Sequence, residues 1–313
     1  MITNSILVIF GLLLLLYCAD RMIMIADSIA KEFSLSPILI GLTIVAFGTS
    51  APELVITIIA SLKDIPATDA IIGNVIGSNV ANLILILGVS ALFFKIDLGK
   101  IMYATNVYLF FITFYFAFIF FIETSFDFIF SIGFFIFIIG FIYYLKNYQS
   151  EFTDEDESNH EENFKGSIYI KLILTFFGIF IGGKLFLDNS LDLFEYLGLQ
   201  ETVIGVSVLA IGTSLPELAT VILAYIKKKG AIGIGNVIGS NIMNILFVFL
   251  PGLLIVQSRG LSFNIPENSI FHIYALMFST VTVITLSLFK IKIGKFVALI
   301  FTGSYATYIW YIV

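Results

Sequence analysis

Charge is what this chain has least of. Asp, Glu, Lys and Arg make up only 12% of its 313 residues, about half the share of an average soluble domain. With 59% hydrophobic residues and a mean hydropathy of +1.05, a soluble globular protein is excluded. The single cysteine, Cys18, excludes an intrachain disulfide and reads as packing. No His, Cys or Ser–Lys constellation sits at membrane depth, so the sequence reads as no enzyme and implies no resident cofactor. The first apolar stretch lacks the basic leader and small-residue cleavage site of a signal peptide, and is kept as a span.

What is there in quantity is apolar sequence in runs of ~20 residues, the length that crosses a bilayer. Ten are readable: Ser5–Ala26, Pro37–Leu62, Ala70–Phe94, Ile101–Ile122, Phe126–Leu145, Ile168–Leu187, Val203–Ile226, Ala231–Val256, Ser269–Phe289 and Phe296–Val313. The fold class is therefore an all-α polytopic membrane protein. Between the fifth and sixth runs lies a segment with seven acidic residues in Glu151–Glu162, a solvated linker in which His160 carries no function. The division is 1–145, a linker at 146–167, and 168–313. The Phe-rich fourth and fifth runs carry almost no polar atoms and read as lipid-facing or passive packing.

Basic residues divide unequally between the two sides. Thirteen, from Arg21 and Lys31 through Lys227–Lys229 to Lys295, collect on one side, and only Lys63, Lys184 and Arg259 on the other. The excess marks the cytoplasmic face. The linker is then cytoplasmic, both termini are outside, and the expected location is the cell (plasma) membrane. Five spans carry the chain across once, so the halves enter from opposite faces as two inverted five-helix repeats.

The halves also share a sentence. Gly41-Leu-Thr-Ile-Val-Ala-Phe-Gly-Thr-Ser-Ala-Pro-Glu-Leu54 returns as Gly205-Val-Ser-Val-Leu-Ala-Ile-Gly-Thr-Ser-Leu-Pro-Glu-Leu218, identical at 8 of 14 positions. Gly73-Asn-Val-Ile-Gly-Ser-Asn-Val-Ala-Asn-Leu83 returns as Gly235-Asn-Val-Ile-Gly-Ser-Asn-Ile-Met-Asn-Ile245, identical at 8 of 11. Each copy places a glutamate, Glu53 or Glu217, near the centre of a span, where a charge is costly and marks function. Thr49, Ser50 and Glu53 share a helix face, as do Asn74, Ser78 and Asn82 at helical spacing. Thr213, Ser214 and Glu217, with Ser240 and Asn244, repeat the pattern. Asn79 and Asn241 lie off this seam and read as structural, and the paired glycines 73/77 and 235/239 as close helix packing. Asp20, Asp188 and Asp192 read as helix-end residues.

Pro52 and Pro216 lack an N–H and crowd the carbonyl four residues back, so each helix breaks or kinks there. Carbonyl oxygens around Ala46–Thr49 and Ala210–Thr213 are freed, and such groups survive in a membrane only when buried in protein or lining a cavity. Ser50-x-Pro-Glu53 and Ser214-x-Pro-Glu217 also read as capping boxes; a helix restarting at mid-membrane accommodates both readings. Carboxylates, hydroxyls, amides and carbonyls form an all-oxygen donor set suited to a hard cation, Ca²⁺ or Na⁺.

These motifs resemble the two alpha-repeats of the cation/Ca²⁺ exchanger superfamily, G-T-S-x-P-E and G-N-x-x-G-S-x-x-x-N/D, and the prokaryotic Na⁺/Ca²⁺ exchangers in particular. The resemblance implies antiport, with Ca²⁺ and Na⁺ as transported substrates and the bilayer as the only surrounding; no nucleic acid and no obligatory protein partner is implied. It implies that Glu53 and Glu217 grip Ca²⁺ with the carbonyls of Thr49 and Thr213. Na⁺ would share the glutamates and use Ser50, Ser78, Ser214, Ser240 and the carbonyls of Ala46 and Ala210. Asn82 and Asn244 would line the centre, and the first and sixth spans would slide as a gating pair. In one departure, both central amide positions are asparagine where many relatives place one aspartate, which caps the site at two negative charges and weakens a K⁺-dependent reading. H⁺/Ca²⁺ exchange through the same site, and a passive cation channel, are the alternatives; the motifs favour Na⁺.

Overall fold

The computed structural model describes residues 2–33, 35–100, 103–123, 125–147, 168–196, 214–266 and 269–312. Thr213, Ala210, the first part of the seventh span and nearly all of the linker lie outside the described residues. Eleven helices are described: α1 (Ile2–Glu32), α2 (Pro37–Thr49), α3 (Ala51–Leu62), α4 (Thr68–Phe93), α5 (Tyr103–Ile122), α6 (Phe128–Asn147), α7 (Ile168–Tyr196), α8 (Leu215–Ile226), α9 (Gly230–Ser258), α10 (Ser269–Leu288) and α11 (Lys295–Ile312). Among the described residues seven helices are long and apolar enough to cross a membrane, and α2 with α3 makes an eighth span bent by 44°. The protein is thus a helical polytopic membrane protein. α1 outruns its expected end at Ala26 because its charges are matched: Asp27 pairs with Lys31 at 3.3 Å and Lys229 at 2.7 Å, and Asp20 with Lys227 at 2.8 Å.

The chain forms two compact units, and neither is a sequence half. One comprises Met1–Thr49, Asn147–Gly239 and Ile309–Val313, the other Ser50–Lys146 and Ser240–Tyr308. Two of the four boundaries fall within the repeated motifs, at Thr49/Ser50 and Gly239/Ser240.

In the first unit α1 lies along α7 with backbones in contact. A Cβ at Gly182 would stand 2.6 Å from Leu15 N, and one at Gly11 2.6 Å from Phe186 N. Small residues permit this approach, and van der Waals packing then holds helices that lipid does not drive together. α2 meets the start of α9 equally closely: a Cβ at Gly235 would sit 2.3 Å from Ile38 O, and one at Gly239 2.5 Å from Leu42 O. At Gly73 and Gly77 an added Cβ meets no described atom within 4 Å.

In the second unit α4 and the later part of α9 are buried along most of their length, whereas α6 is largely exposed. That division suits their sequences, because only a helix surrounded by protein can carry a polar seam through a membrane. The Phe-rich helices split their faces: Ile136 and Ile139 of α6 are exposed, while Phe116, Phe134, Phe249 and Phe263 pack edge to face with Phe126 beside them. Two short antiparallel ladders join loops of the two halves. β1 (Ile96–Asp97) pairs with β4 (Lys292–Ile293), reinforced by Lys292–Asp97 at 2.8 Å, and β2 (Ser125–Phe126) pairs with β3 (Phe263–Asn264).

Candidate functional site

The second unit holds one share of the expected ligands. The chain turns at Ser50, with φ −82° and ψ 5°, and restarts as α3 with Pro52 in its first turn and Glu53 behind it. Glu53 is fully buried, and Ser78 donates to its Oε1 at 3.4 Å. Asn74 Nδ2 donates to Glu53 O at 3.0 Å and to Thr57 Oγ1 at 3.2 Å, so α4 grips the first turns of α3 at both backbone and side chain. Asn82 and Asn244 are both buried, each within a wide π-type turn, Ala81–Ile86 in α4 and Asn244–Phe249 in α9. Such turns place an extra residue in the helix, recur at functional sites, and leave no trace in apolar periodicity. Neither amide atom of Asn82 has a hydrogen-bond partner among the described residues. Asn244 gives its Nδ2 to Asn79 and keeps its Oδ1 without a partner there. Ser240 is buried in the same unit.

The first unit repeats the local geometry. Ser214 adopts φ −90° and ψ 5° and Pro216 follows in the first turn of α8. Leu218 N donates to Ser214 O at 3.0 Å, as Leu54 N does to Ser50 O at 3.2 Å. Glu217 is fully buried, and Thr220, one turn on, is buried with it. Thr49, at the end of α2, donates its hydroxyl to Ala46 O at 3.3 Å and to Asn236 Oδ1 at 3.0 Å.

The capping reading does not hold. Neither Ser50 nor Ser214 makes a side-chain cap bond, and both hydroxyls are buried without a partner among the described residues. A capping serine takes an extended conformation that aims its oxygen at the N–H groups of the next turn; these two take near-helical angles instead. Sequence reasoning had also passed over Asn236, Thr57 and Thr220. Asn236 was detectable as the second-copy counterpart of Asn74.

Buried hydroxyl, amide and carboxylate oxygens with spare acceptor capacity are the donor set a hard cation uses.

Comparison with known proteins agrees. The sequence profile of the sodium/calcium exchanger protein family matches residues 4–146 and 167–313. The sodium/calcium exchanger MaX1 of Methanosarcina acetivorans is 36% identical over 320 residues, spanning 88% of this chain and 91% of that protein. The inner membrane protein YrbG of Escherichia coli is 32% identical over 264 residues, covering 81% of each. A structure of the sodium-calcium exchanger NCX_Mj, soaked without Na⁺ and Ca²⁺, superimposes with a TM-score of 0.80 at 29% identity over 99% of both chains. With the family profile covering both halves and a relative 36% identical over most of its length, the chain belongs to the sodium/calcium exchanger protein family.

Proposed function

We propose that this protein is a secondary antiporter that moves Ca²⁺ against Na⁺ by alternating access. The observation that carries the reading is a fully buried glutamate just past a helix start that lacks its serine cap, occurring twice, at Glu53 and Glu217. A carboxylate at that depth is kept for a purpose. In the proposal both glutamates bind Ca²⁺, assisted by the carbonyls of Thr49 and Thr213. Na⁺ uses the same carboxylates with Ser50, Ser78, Ser214 and Ser240 and the carbonyls of Ala46 and Ala210, while the amides of Asn82 and Asn244 line the centre of the site and face either cation. The chain crosses the plasma membrane ten times as two inverted repeats, with both termini outside and the linker in the cytoplasm. The relatives named sodium/calcium exchangers support Na⁺ as the coupling ion.

Coupling follows from electrostatics. A buried carboxylate costs several kcal/mol unless its charge is balanced, so a site without cations resists changing sides. One Ca²⁺ or several Na⁺ remove that cost.

Purified protein in liposomes tests the reading. An outward Na⁺ gradient is expected to drive radioactive Ca²⁺ uptake, and Glu53→Gln or Glu217→Gln to abolish it while the variant remains monodisperse. Equal uptake under a pH gradient without Na⁺ replaces the coupling ion by H⁺. Conductance at zero Na⁺ replaces the antiporter by a channel.

A further inference from the structure

The two central asparagines, Asn82 and Asn244, are equivalent in the repeat and unequal in the structure. The difference is made by Asn79, one turn before Asn82 on α4. Asn79 Nδ2 donates to the backbone oxygen of Asn241 at 3.4 Å, and Asn79 Oδ1 accepts from Asn244 Nδ2 at 3.0 Å. All three residues belong to the second unit and are buried.

The orientation of this relay follows from its end group. A backbone carbonyl only accepts, so the group Asn79 turns toward Asn241 O must be its NH₂. Its oxygen therefore faces Asn244, and Asn244 must answer with nitrogen. The Asn244 oxygen is then left on the opposite edge of the amide, buried and without a hydrogen-bond partner among the described residues. Reversing any one amide sets oxygen against oxygen. Asn82 has no such constraint, since neither of its amide atoms is engaged among the described residues.

We infer that Asn79 is a positioning residue that locks the Asn244 amide with its oxygen outward as a neutral cation ligand, a lock that Asn82 lacks among the described residues. The inference deepens the antiport proposal and rests on it for the word ligand. It gives a physical reason for an amide at this position. An ionised carboxylate at 244 would press its negative oxygen on Asn79 Oδ1, whereas a protonated one reproduces the amide, its O–H donating to Asn79 and its carbonyl facing outward. On the elements packed around Asn79 (α3, α4, α9 and α10) the buried carboxyl among the described residues of this unit is Glu53, bonded to Ser78, and His272 of α10 bonds the Tyr308 hydroxyl.

Infrared difference spectra of the purified full chain read the protonation of a carboxyl introduced by Asn244→Asp, with no transport required. The protonation midpoint is expected to stand about one pH unit higher in Asn244→Asp than in Asn79→Leu/Asn244→Asp, about tenfold in acid constant, because hydrogen bonding to the neutral form is lost. Leucine matches asparagine in size and is drier, so desolvation alone moves the midpoint the other way. An equal or higher midpoint in the double variant overturns the lock; Asn79→Ala serves as the second background if the leucine variant fails to fold. In liposomes Asn79→Leu or Asn79→Ala is expected to raise half-saturating Ca²⁺ about tenfold with the maximal rate within about twofold, the pattern of lost ground-state binding. Unchanged half-saturation overturns the ligand role. Absence of any uptake by the parent protein sinks the antiport proposal and leaves the infrared result to decide the lock.

Discussion

Thr49 and Asn236 meet through a hydroxyl-to-amide hydrogen bond of 3.0 Å, which ties the end of α2 to α9 inside the first unit. The first-copy counterpart of Asn236, Asn74, faces the opposite way chemically: its nitrogen donates to Glu53 O, at the start of α3. A residue duplicated by the repeat thus anchors the segment before the helix break in one case and the segment after it in the other. Both anchors hold residues, Thr49 and Glu53, that the proposal uses for cation binding.

The Thr49–Asn236 bond is testable by a double-mutant cycle of Thr49→Val and Asn236→Leu. Thr49→Val is expected to lose about 1–3 kcal/mol of unfolding free energy, because the buried Asn236 oxygen loses the hydroxyl, and Asn236→Leu less, because Thr49 keeps Ala46 O. The pair is expected to lose less than the sum, with a coupling of about 0.5–1.5 kcal/mol. Titration with a denaturing detergent measures all four proteins, and strict additivity removes the bond from the account.

The spans were legible because twenty apolar residues leave little freedom: the expected Ala70–Phe94 stands as Thr68–Phe93 and Ser269–Phe289 as Ser269–Leu288. The burial of the motif glutamates was legible for a related reason, since a charge in such a run must be enclosed by protein. Other features depend on neighbours distant in sequence. The π-type turns at Asn82 and Asn244 arise from packing and leave the apolar pattern unchanged. Ser50 and Ser214 fit a capping signature that is purely local, and their near-helical angles override it. The two-residue strands at Ile96 and Ser125 are too short to carry an alternation. Unit boundaries at Thr49/Ser50 and Gly239/Ser240 cut through motifs that local sequence presents as unbroken.

Contact between α1 and α7 rests on absent side chains. In Gly182→Val the new Cβ would overlap the Leu15 backbone, which cannot rotate away as a side chain can. The helices must separate or shift, and overpacking of this kind costs about 1–3 kcal/mol or more. The expected outcome is a lower apparent melting temperature in detergent. Gly303→Val, at a position where an added Cβ meets no described atom within 4 Å, is the control and is expected to melt like the parent. Equal melting of both variants would show that α1 and α7 do not need backbone contact.

Asp27 serves Lys31 on its own helix and Lys229 beyond α8, and the 2.7 Å contact with Lys229 is the shorter. Both partners are partly exposed, so the pair is worth about 1 kcal/mol or less and fades as salt screens it. Lys229→Met is therefore expected to lower stability slightly at low ionic strength and not at high, whereas Lys31→Met loses a more exposed contact and changes little at either. A Lys229→Met defect that persists in high salt would point to packing of the lysine stem instead of the ion pair.

Ser50 and Ser214 separate a structural role from a binding role by stability alone. A serine that caps a helix costs about 0.5–2 kcal/mol when replaced by alanine. Here neither hydroxyl caps, and each is buried with no hydrogen-bond partner among the described residues, so its removal sacrifices no bond among them and relieves a desolvated group. Ser50→Ala and Ser214→Ala are accordingly expected to unfold within about 0.5 kcal/mol of the parent, or slightly above it. In liposomes the same variants are expected to need about tenfold more Na⁺ to drive Ca²⁺ uptake, a loss of about 1.4 kcal/mol of binding. Detergent titration and a Na⁺ dose series on one preparation give both numbers. A variant that loses stability while keeping its Na⁺ dependence would return these serines to helix capping and take them out of the proposed site.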